Sequence, residues 1–208
     1  MPNSLTPFET LLKIRKESQI PYYSDDDEKF IHFAIRGDAT FYDVMWGIAD
    51  DETFSINLIL PVEVKDEKMR PLVMELLTLA NSSNAVRFGH FNLDLSDGEI
   101  AYNTSYPIVE AGLEDKTVKN LFYDALIDCD FLFPAIMRVI FGGLTPKDAM
   151  DSAWLDNQAW LDDQSEEGAD TKTSAPAKKS PTAKKTRRPR KKTAHPKGEG
   201  TDHPPKGC

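Results

Sequence analysis

The last 38 residues of this chain contain no large apolar side chain, and this restricts where a folded domain can lie. Residues 171–208 include no Val, Ile, Leu, Met, Phe, Tyr or Trp. A segment that cannot bury apolar surface does not offset the conformational entropy lost on folding, so we expect residues 171–208 to be disordered. All 11 Phe, 6 Tyr and 3 Trp lie earlier. The first 170 residues are long enough for one domain of ordinary size.

The charge of the chain is divided in the same place. The whole sequence carries 25 Lys and Arg against 34 Asp and Glu, a formal net charge of −9. The tail, residues 171–208, has 12 basic and two acidic residues, and the preceding part has 13 basic and 32 acidic residues. The chain therefore joins an acidic body of net charge −19 to a basic tail of net charge +10.

Several classes of protein do not fit this sequence. The longest stretch without a charged residue is the 11-residue segment from Leu76 to Val86, which is too short to span a bilayer. The first residues show no secretory signal pattern. The two cysteines, Cys129 and Cys208, do not suggest a disulfide framework. We therefore expect a soluble, cytoplasmic protein in a reducing compartment.

Hydrophobic periodicity predicts alternating helices and strands over most of the body. Period-two alternation indicates strands and helical spacing indicates helices. The predicted order is a helix over 6–18, strands over 31–35, 42–48 and 54–60, a helix over 69–80, strands over 91–95 and 100–106, and helices over 118–140 and from 145 onward. Short turns favour antiparallel pairing. The expected fold class is α+β, with a five-stranded antiparallel sheet packed with helices in the order α-β-β-β-α-β-β-α-α.

Local motifs refine the ends and turns of these elements. Thr6-Pro7-Phe8-Glu9 has the pattern of a capping box at the start of a helix. Asp97-Gly98 is typical of a hairpin turn, with Gly98 at a positive φ. Pro134 lies inside the long helical pattern and is expected to kink or split that helix.

Several segments of the body together resemble the YbjN family. They are Leu60-Pro61-Val62, Asn81, the segment Phe88-Gly89-His90-Phe91-Asn92-Leu93-Asp94-Leu95-Ser96-Asp97-Gly98-Glu99-Ile100-Ala101-Tyr102, and the stretches from Leu132 to Met137 and from Ile140 to Pro146. The resemblance covers about residues 5 to 150. It implies a fold similar to type III secretion chaperones and a bacterial regulator of the sensory transduction type. Most of these positions also have structural explanations as turns, helix ends and buried strand residues.

Residues that often carry chemistry have simpler interpretations here. Cys129 lies on the apolar stripe of its helix, which favours a buried small side chain over a nucleophile. His32 and His90 lie on the polar register of strands, either as solvated side chains or as a pair of metal ligands. We predict no catalytic residue, no metal and no cofactor, and hence no enzymatic activity.

Two segments are candidate binding sites. The acidic segment 149–170, which follows the YbjN-like domain over 1–148, carries Trp154, Leu155, Trp160 and Leu161. These side chains either pack on their own domain as a final core helix or are presented to a protein partner. The tail carries a cluster of basic residues comprising Lys178, Lys179, Lys184, Lys185, Arg187, Arg188, Arg190, Lys191 and Lys192.

The basic cluster resembles linker-histone tails. Its cations can contact nucleic acid phosphates without reading the bases, or can contact an acidic protein surface. The favoured function is a non-enzymatic protein-interaction or chaperone-like regulatory protein with an unidentified protein partner, which could form a homodimer. The alternative is a nucleic-acid-associated protein that binds DNA or RNA non-specifically through its tail.

Overall fold

The structure, a computed structural model, describes residues 5–83, 85–108 and 112–170, with side chains described as far as residue 159. Four helices are α1 (Pro7–Ser18), α2 (Arg70–Ser82), α3 (Asp115–Ile140) and α4 (Pro146–Asp170). Six strands are β1 (Tyr23–Asp25), β2 (Phe30–Arg36), β3 (Phe41–Ala49), β4 (Thr53–Glu63), β5 (Gly89–Leu93) and β6 (Glu99–Pro107). These elements belong to one compact unit, Met1–Ala169, and the second unit is Asp170–Cys208.

The strands form one antiparallel sheet in the order β1-β2-β3-β4-β6-β5. The prediction of an α+β architecture is confirmed, but the prediction of five strands is wrong. The additional strand is β1, in which Tyr23 pairs with His32 and Asp25 pairs with Phe30. Three residues are too few to show alternation, and the nearby Pro21 and the acidic residues after Ser24 indicated a loop.

One face of the sheet forms the core, as the alternation predicts. Strands β3 and β4 direct residues such as Val44, Trp46, Ile56 and Leu58 inward, each at most 1 % exposed. The helices α1, α2 and α3 cover this face with their own apolar residues. Trp46 makes edge-to-face contacts with the rings of Phe33 and Phe122, at centroid distances of 5.1 and 5.3 Å. This aromatic cluster joins the sheet to α3 beneath α1.

The opposite face of the sheet carries mostly polar and small side chains. One row of paired residues crosses all six strands and consists of Tyr23, His32, Met45, Asn57, Asn103 and His90. Among these, Tyr23 is 59 % exposed and Met45 is 39 % exposed. A sheet with one buried face and one solvated face explains why the strands alternate so regularly in sequence.

The ends of the helices follow the predicted motifs. Thr6 and Glu9 form the reciprocal capping box, with Glu9 N donating to Thr6 Oγ1 at 3.2 Å and Thr6 N donating to Glu9 Oε2 at 2.7 Å. Thr145 caps α4 by accepting from Asp148 N. Gly98 has φ +87°, which confirms the predicted left-handed turn position.

Pro134 does not split its helix, because α3 continues from Asp115 to Ile140 with this proline inside it. A proline forfeits one backbone hydrogen bond and places its ring against the preceding turn. Buried residues on both sides of it, including Cys129, Leu132 and Ile136, hold the helix to the sheet. Burial of this apolar stripe outweighs the local cost.

Among the residues described above, none of the helices combines the length and apolar content that a membrane crossing requires.

Candidate protein-interaction site

A groove runs between α3 and α4 at the end of the sheet where β2 turns into β3. It encloses about 280 Å³. Its lining consists of Asp38, Ile127, Asp130, Phe131, Pro134, Ala153, Asp156 and Asn157. The lining is mainly apolar, with three carboxylates around it. We refer to these residues, together with Trp154, whose ring contacts that of Phe131, as the α3–α4 groove.

Large apolar side chains remain exposed at the α3–α4 groove. Ile127 on α3 lines the groove and is 62 % exposed. Trp154 is 38 % exposed and lies on the ring of Phe131, with a centroid distance of 4.9 Å. Exposed apolar side chains that are adjacent to one another, rather than scattered, are typical of an interaction surface.

Helix α4 packs on its own domain along one part of its surface and leaves another part exposed. Ala149, Met150 and Ala153 are buried against the rest of the domain. Trp154 and Leu155 lie on the more exposed part of the same helix. The side chains of Trp160 and Leu161 lie outside the described residues, so their predicted part in partner binding stays a prediction.

Polar contacts hold α4 in place along α3. Arg138 on α3 donates to Ser152 Oγ at 2.5 Å and to Asp156 Oδ2 at 2.7 Å. The Asp156 carboxylate therefore belongs to the groove and also pairs with a cation of the neighbouring helix. This contact fixes the separation of the two helices and hence the width of the groove.

Asp130 fastens the β2–β3 turn to the other end of the groove. Its carboxylate accepts hydrogen bonds from the backbone N–H groups of Asp38 and Ala39, both at 2.9 Å, and from the Tyr42 hydroxyl at 2.8 Å. Burial, followed by the hydrogen bond to Asp130, raises the pKa of Tyr42, so this hydroxyl remains a donor at neutral pH. A Cβ at Gly37 would lie 2.5 Å from Asp130 Oδ1, so the close approach of this turn requires glycine.

A second tyrosine–aspartate contact involves Asp128, which precedes Cys129 on α3 as Asp130 follows it. Asp128 is 4 % exposed and accepts a hydrogen bond from the Tyr102 hydroxyl at 2.9 Å. Burial raises the pKa of the Asp128 carboxyl, and it also raises the pKa of the Tyr102 hydroxyl. Cys129 itself is fully buried, and burial raises the pKa of its thiol well above its ordinary value. The thiol is therefore protonated at neutral pH, as the interpretation of Cys129 as a core residue requires.

The two histidines of the body lie far apart on the solvated face of the sheet. His32 is on β2 and His90 is on β5, with β3, β4 and β6 between them. Four strand spacings separate them, which corresponds to about 19 Å. His32 Nε2 lies 3.7 Å from Asp43 Oδ1. The described residues bring together no group of three His, Cys, Asp or Glu side chains that could hold a metal ion.

The sequence indicated only part of the α3–α4 groove. Trp154 was a candidate from the sequence, whereas Ile127, Phe131 and the carboxylates of Asp38 and Asp130 were not, and Leu155 is exposed on α4 but is not among the lining residues. Ile127 lies off the apolar stripe of α3, and this was the signal that could have revealed it. The basic cluster over 178–192 lies outside the described residues.

Comparisons with known proteins give similarity at the level of solved structures. No protein-family model matches the chain, and no curated protein matches it. The crystal structure of YbjN from E. coli is 14 % identical, covers 66 % of this chain and 92 % of its own, and has a TM-score of 0.42. YbjN, whose family the sequence motifs resemble, is thus among the similar solved structures.

Two of the similar structures are complexes. The ExsC–ExsE complex matches at 15 % identity over 60 % of this chain and 89 % of that chain, with a TM-score of 0.42. The HopA1–SchA chaperone–effector complex matches at 20 % identity over 58 % of this chain and 89 % of that chain, with a TM-score of 0.39.

Proposed function

We propose that this chain is a non-enzymatic protein-interaction protein, chaperone-like and regulatory in the manner that the YbjN resemblance implies. The proposed site is the α3–α4 groove, which binds a segment of a protein partner. The observation that carries the proposal is the exposure of Ile127 and Trp154 at an apolar groove, where Trp154 contacts the lining residue Phe131. Burying such side chains on association stabilises a complex by about 25 cal/mol for each Å² removed from water.

The charges around the α3–α4 groove define the chemistry of the proposed partner. The carboxylates of Asp38, Asp130 and Asp156 lie among its lining residues, and the only cation that contacts one of them in the described residues is Arg138. The body as a whole is strongly acidic. Complementary charge favours correct encounters and disfavours like-charged partners. We therefore expect an amphipathic segment with apolar side chains on one face and Lys or Arg beside them.

The engagement of the groove carboxylates supports binding rather than catalysis. Asp130 accepts three hydrogen bonds that fasten a turn, and Asp156 pairs with Arg138 to hold two helices together. A general base needs to reach a substrate proton. Carboxylates occupied in this way serve to maintain the shape of the groove.

Titration with designed peptides tests this proposal on the full chain. The probes are a helical peptide with leucines on one face and lysines elsewhere, and its counterpart with glutamates in place of lysines. We expect the lysine peptide to bind at least tenfold more tightly than the glutamate peptide, measured by calorimetry. Ile127→Asp should weaken binding of the lysine peptide at least tenfold, because it places a charge where an apolar contact forms.

Met74→Asp provides the matched control for Ile127→Asp. Met74 is 45 % exposed on α2 and lies outside the α3–α4 groove. This variant should bind the lysine peptide as the unchanged chain does. Equal effects of the two substitutions, or equal binding of both peptides, would contradict the proposal.

The basic tail supports a second candidate function, the non-specific binding of nucleic acid. Nine Lys and Arg residues lie within the 15 residues from Lys178 to Lys192. Cations at this density displace the counterions of phosphates, which supplies affinity without sequence recognition.

Formation of a homodimer is also proposed, through the solvated sheet face or a sheet edge. Light scattering at micromolar concentration tests the dimer, and a monomer would contradict it.

A further inference from the structure

Arg15 of α1 is buried, and no acidic side chain of the described residues pairs with it. Arg15 is 4 % exposed and lies against the aromatic cluster. The carbon at the centre of its guanidinium lies 4.0 Å from the ring centroid of Phe33 and 4.6 Å from that of Trp46. Cation–π contacts of this kind stabilise the flat faces of the guanidinium.

Two nitrogens at the edge of the same guanidinium lack an acceptor within the described part of the chain. Its Nε and Nη1 atoms are buried and have no hydrogen-bond partner among the residues that the structure describes. The indole Nε1 of Trp46 is also buried and also lacks a partner within the described ranges. The N–H groups of a guanidinium lie in its plane, so ring contacts on its faces leave them unsatisfied. Buried donors without acceptors destabilise a fold, which makes a concentration of them at one place informative.

A cavity of about 230 Å³ lies against both of these side chains. Its apolar lining comes from Ile14, Ile20, Ile35 and Phe122, and its exposed lining includes Lys119 and Glu17. Glu17 Oε1 lies 4.0 Å from Lys13 Nζ, so the acidic group of the lining has a cation nearby. Burial lowers the pKa of Arg15, which shows that its charge is poorly solvated.

We propose that this cavity binds a small carboxylic acid with an apolar body, whose carboxylate pairs with the Arg15 guanidinium. The Trp46 indole borders the cavity, and the apolar body lies among the isoleucines and Phe122. A cavity smaller than the usual 300–1,000 Å³ of drug-sized ligands limits the acid to about the size of benzoate. A phosphate dianion fits less well, because its oxygens need more donors than one buried cation provides.

Calorimetry and thermal unfolding of the full chain with three probes test this inference. The probes are benzoate, the neutral isostere benzamide, and inorganic phosphate. We expect benzoate to bind with one-to-one stoichiometry and to raise the Tm with increasing concentration, whereas benzamide and phosphate do not. In the unchanged chain, benzoate but not benzamide should also shift the Trp46 indole N–H resonance. Binding of phosphate or benzamide equal to that of benzoate would overturn the proposal.

Arg15→Met separates a ligand site from a purely structural arginine. This variant should bind benzoate at least tenfold more weakly, and in the absence of ligand its Tm should be equal or higher, because the unpaired donors are gone. Arg36→Met is the matched control, since Arg36 lies over the Phe41 ring at 5.5 Å and away from the cavity. If Arg15→Met lowers the Tm and the unchanged chain shows no Trp46 shift with benzoate, the arginine serves the aromatic cluster alone. The lining shares no residue with the α3–α4 groove, so this result is independent of the proposed function.

Discussion

The buried carboxyl of Asp128 makes the stability of the domain depend on pH. Its folded-state pKa is raised by burial, so the folded chain binds the proton more readily than the unfolded chain does. The free energy of unfolding therefore falls as the pH rises from the ordinary carboxyl pKa through the raised value, and is flat above it. At neutral pH this carboxyl is a net cost for its burial, offset in part by the hydrogen bond from Tyr102.

Asp128→Asn tests this balance. An amide oxygen can still accept from the Tyr102 hydroxyl, so we expect the variant to be as stable as the unchanged chain or more stable at neutral pH. Its advantage should shrink as the pH falls below the raised pKa. Asp128→Ala should lower the free energy of unfolding by about 1–3 kcal/mol, because it leaves the buried hydroxyl unsatisfied. Urea unfolding over a series of pH values measures all three, with the exposed Glu75→Gln as the control.

Gly98 illustrates how a turn residue can be restricted by its neighbour as well as by its own backbone. It has φ +87°, and a Cβ there would lie 2.8 Å from the carbonyl carbon and 2.9 Å from the nitrogen of Val64. Gly143 has φ +67° but open space around the same position. A side chain at either position would therefore pay the cost of a positive φ, but only a side chain at position 98 would also collide with the backbone of Val64.

Substitution of each glycine by alanine separates the two effects. Gly143→Ala should cost about 1–2 kcal/mol from the left-handed conformation alone. Gly98→Ala should cost clearly more, since the end of β4 must also move away from the turn. Urea unfolding gives both values, and equal losses would show that the backbone at Val64 adjusts freely.

At the scale of elements, α3 would be more stable with a residue other than proline at position 134. The interior of α3 tolerates this proline only because buried residues on both sides hold the helix. Pro134→Ala restores a backbone donor and removes the ring from the preceding turn, so we expect the unfolding free energy to rise by about 1–3 kcal/mol. Pro146→Ala is the matched control, because Pro146 begins α4, where proline is favourable. A rise in both variants, or in neither, would contradict this explanation.

The sequence predicted those elements whose local pattern agrees with their tertiary role. Strands β2, β3 and β4 alternate because one face of the sheet is covered and the other is solvated, and a local pattern reveals this. Strand β1 was missed because three residues are too few to show alternation, although they pair with β2 across a short turn. Pro134 does not split α3, because tertiary packing of the helix outweighs the intrinsic preference of proline.

The sites were less predictable than the strands, because they depend on contacts between distant segments. Asp38 and Asp130 meet only when the β2–β3 turn docks on α3. In the sequence, Arg15 is an ordinary cation of a helix. Its buried nitrogens lack acceptors in the described structure because Phe33 and Trp46 lie against the guanidinium, and these contacts depend on the tertiary fold. The sequence indicated the basic cluster and Trp154 as candidates, because a density of cations and a tryptophan are visible without tertiary structure.

At the scale of the whole molecule, the proposed role of the tail is testable by salt. Full-length chain should bind duplex DNA of any sequence, and removal of residues 171–208 should abolish this binding. If about six phosphates are neutralised, affinity should fall by about 10³-fold between 50 and 200 mM salt. Fluorescence anisotropy measures the slope. Replacement of the nine basic residues between 178 and 192 by glutamine should remove this salt dependence. An affinity for DNA that does not depend on salt would show that phosphate contacts do not supply it.

The order of strands along the chain has a consequence for synthesis on the ribosome. Strands β1 to β4 are consecutive neighbours over residues 23–63, so they can pair as soon as they emerge. Their apolar face, with Trp46 and Phe54, is covered completely only when α3 has been made, 77 residues later at Ile140. At about 5–20 residues per second, the nascent sheet is half-covered for about 4–15 s. During this interval the growing chain exposes apolar surface, which is the kind of surface that cellular holdases bind.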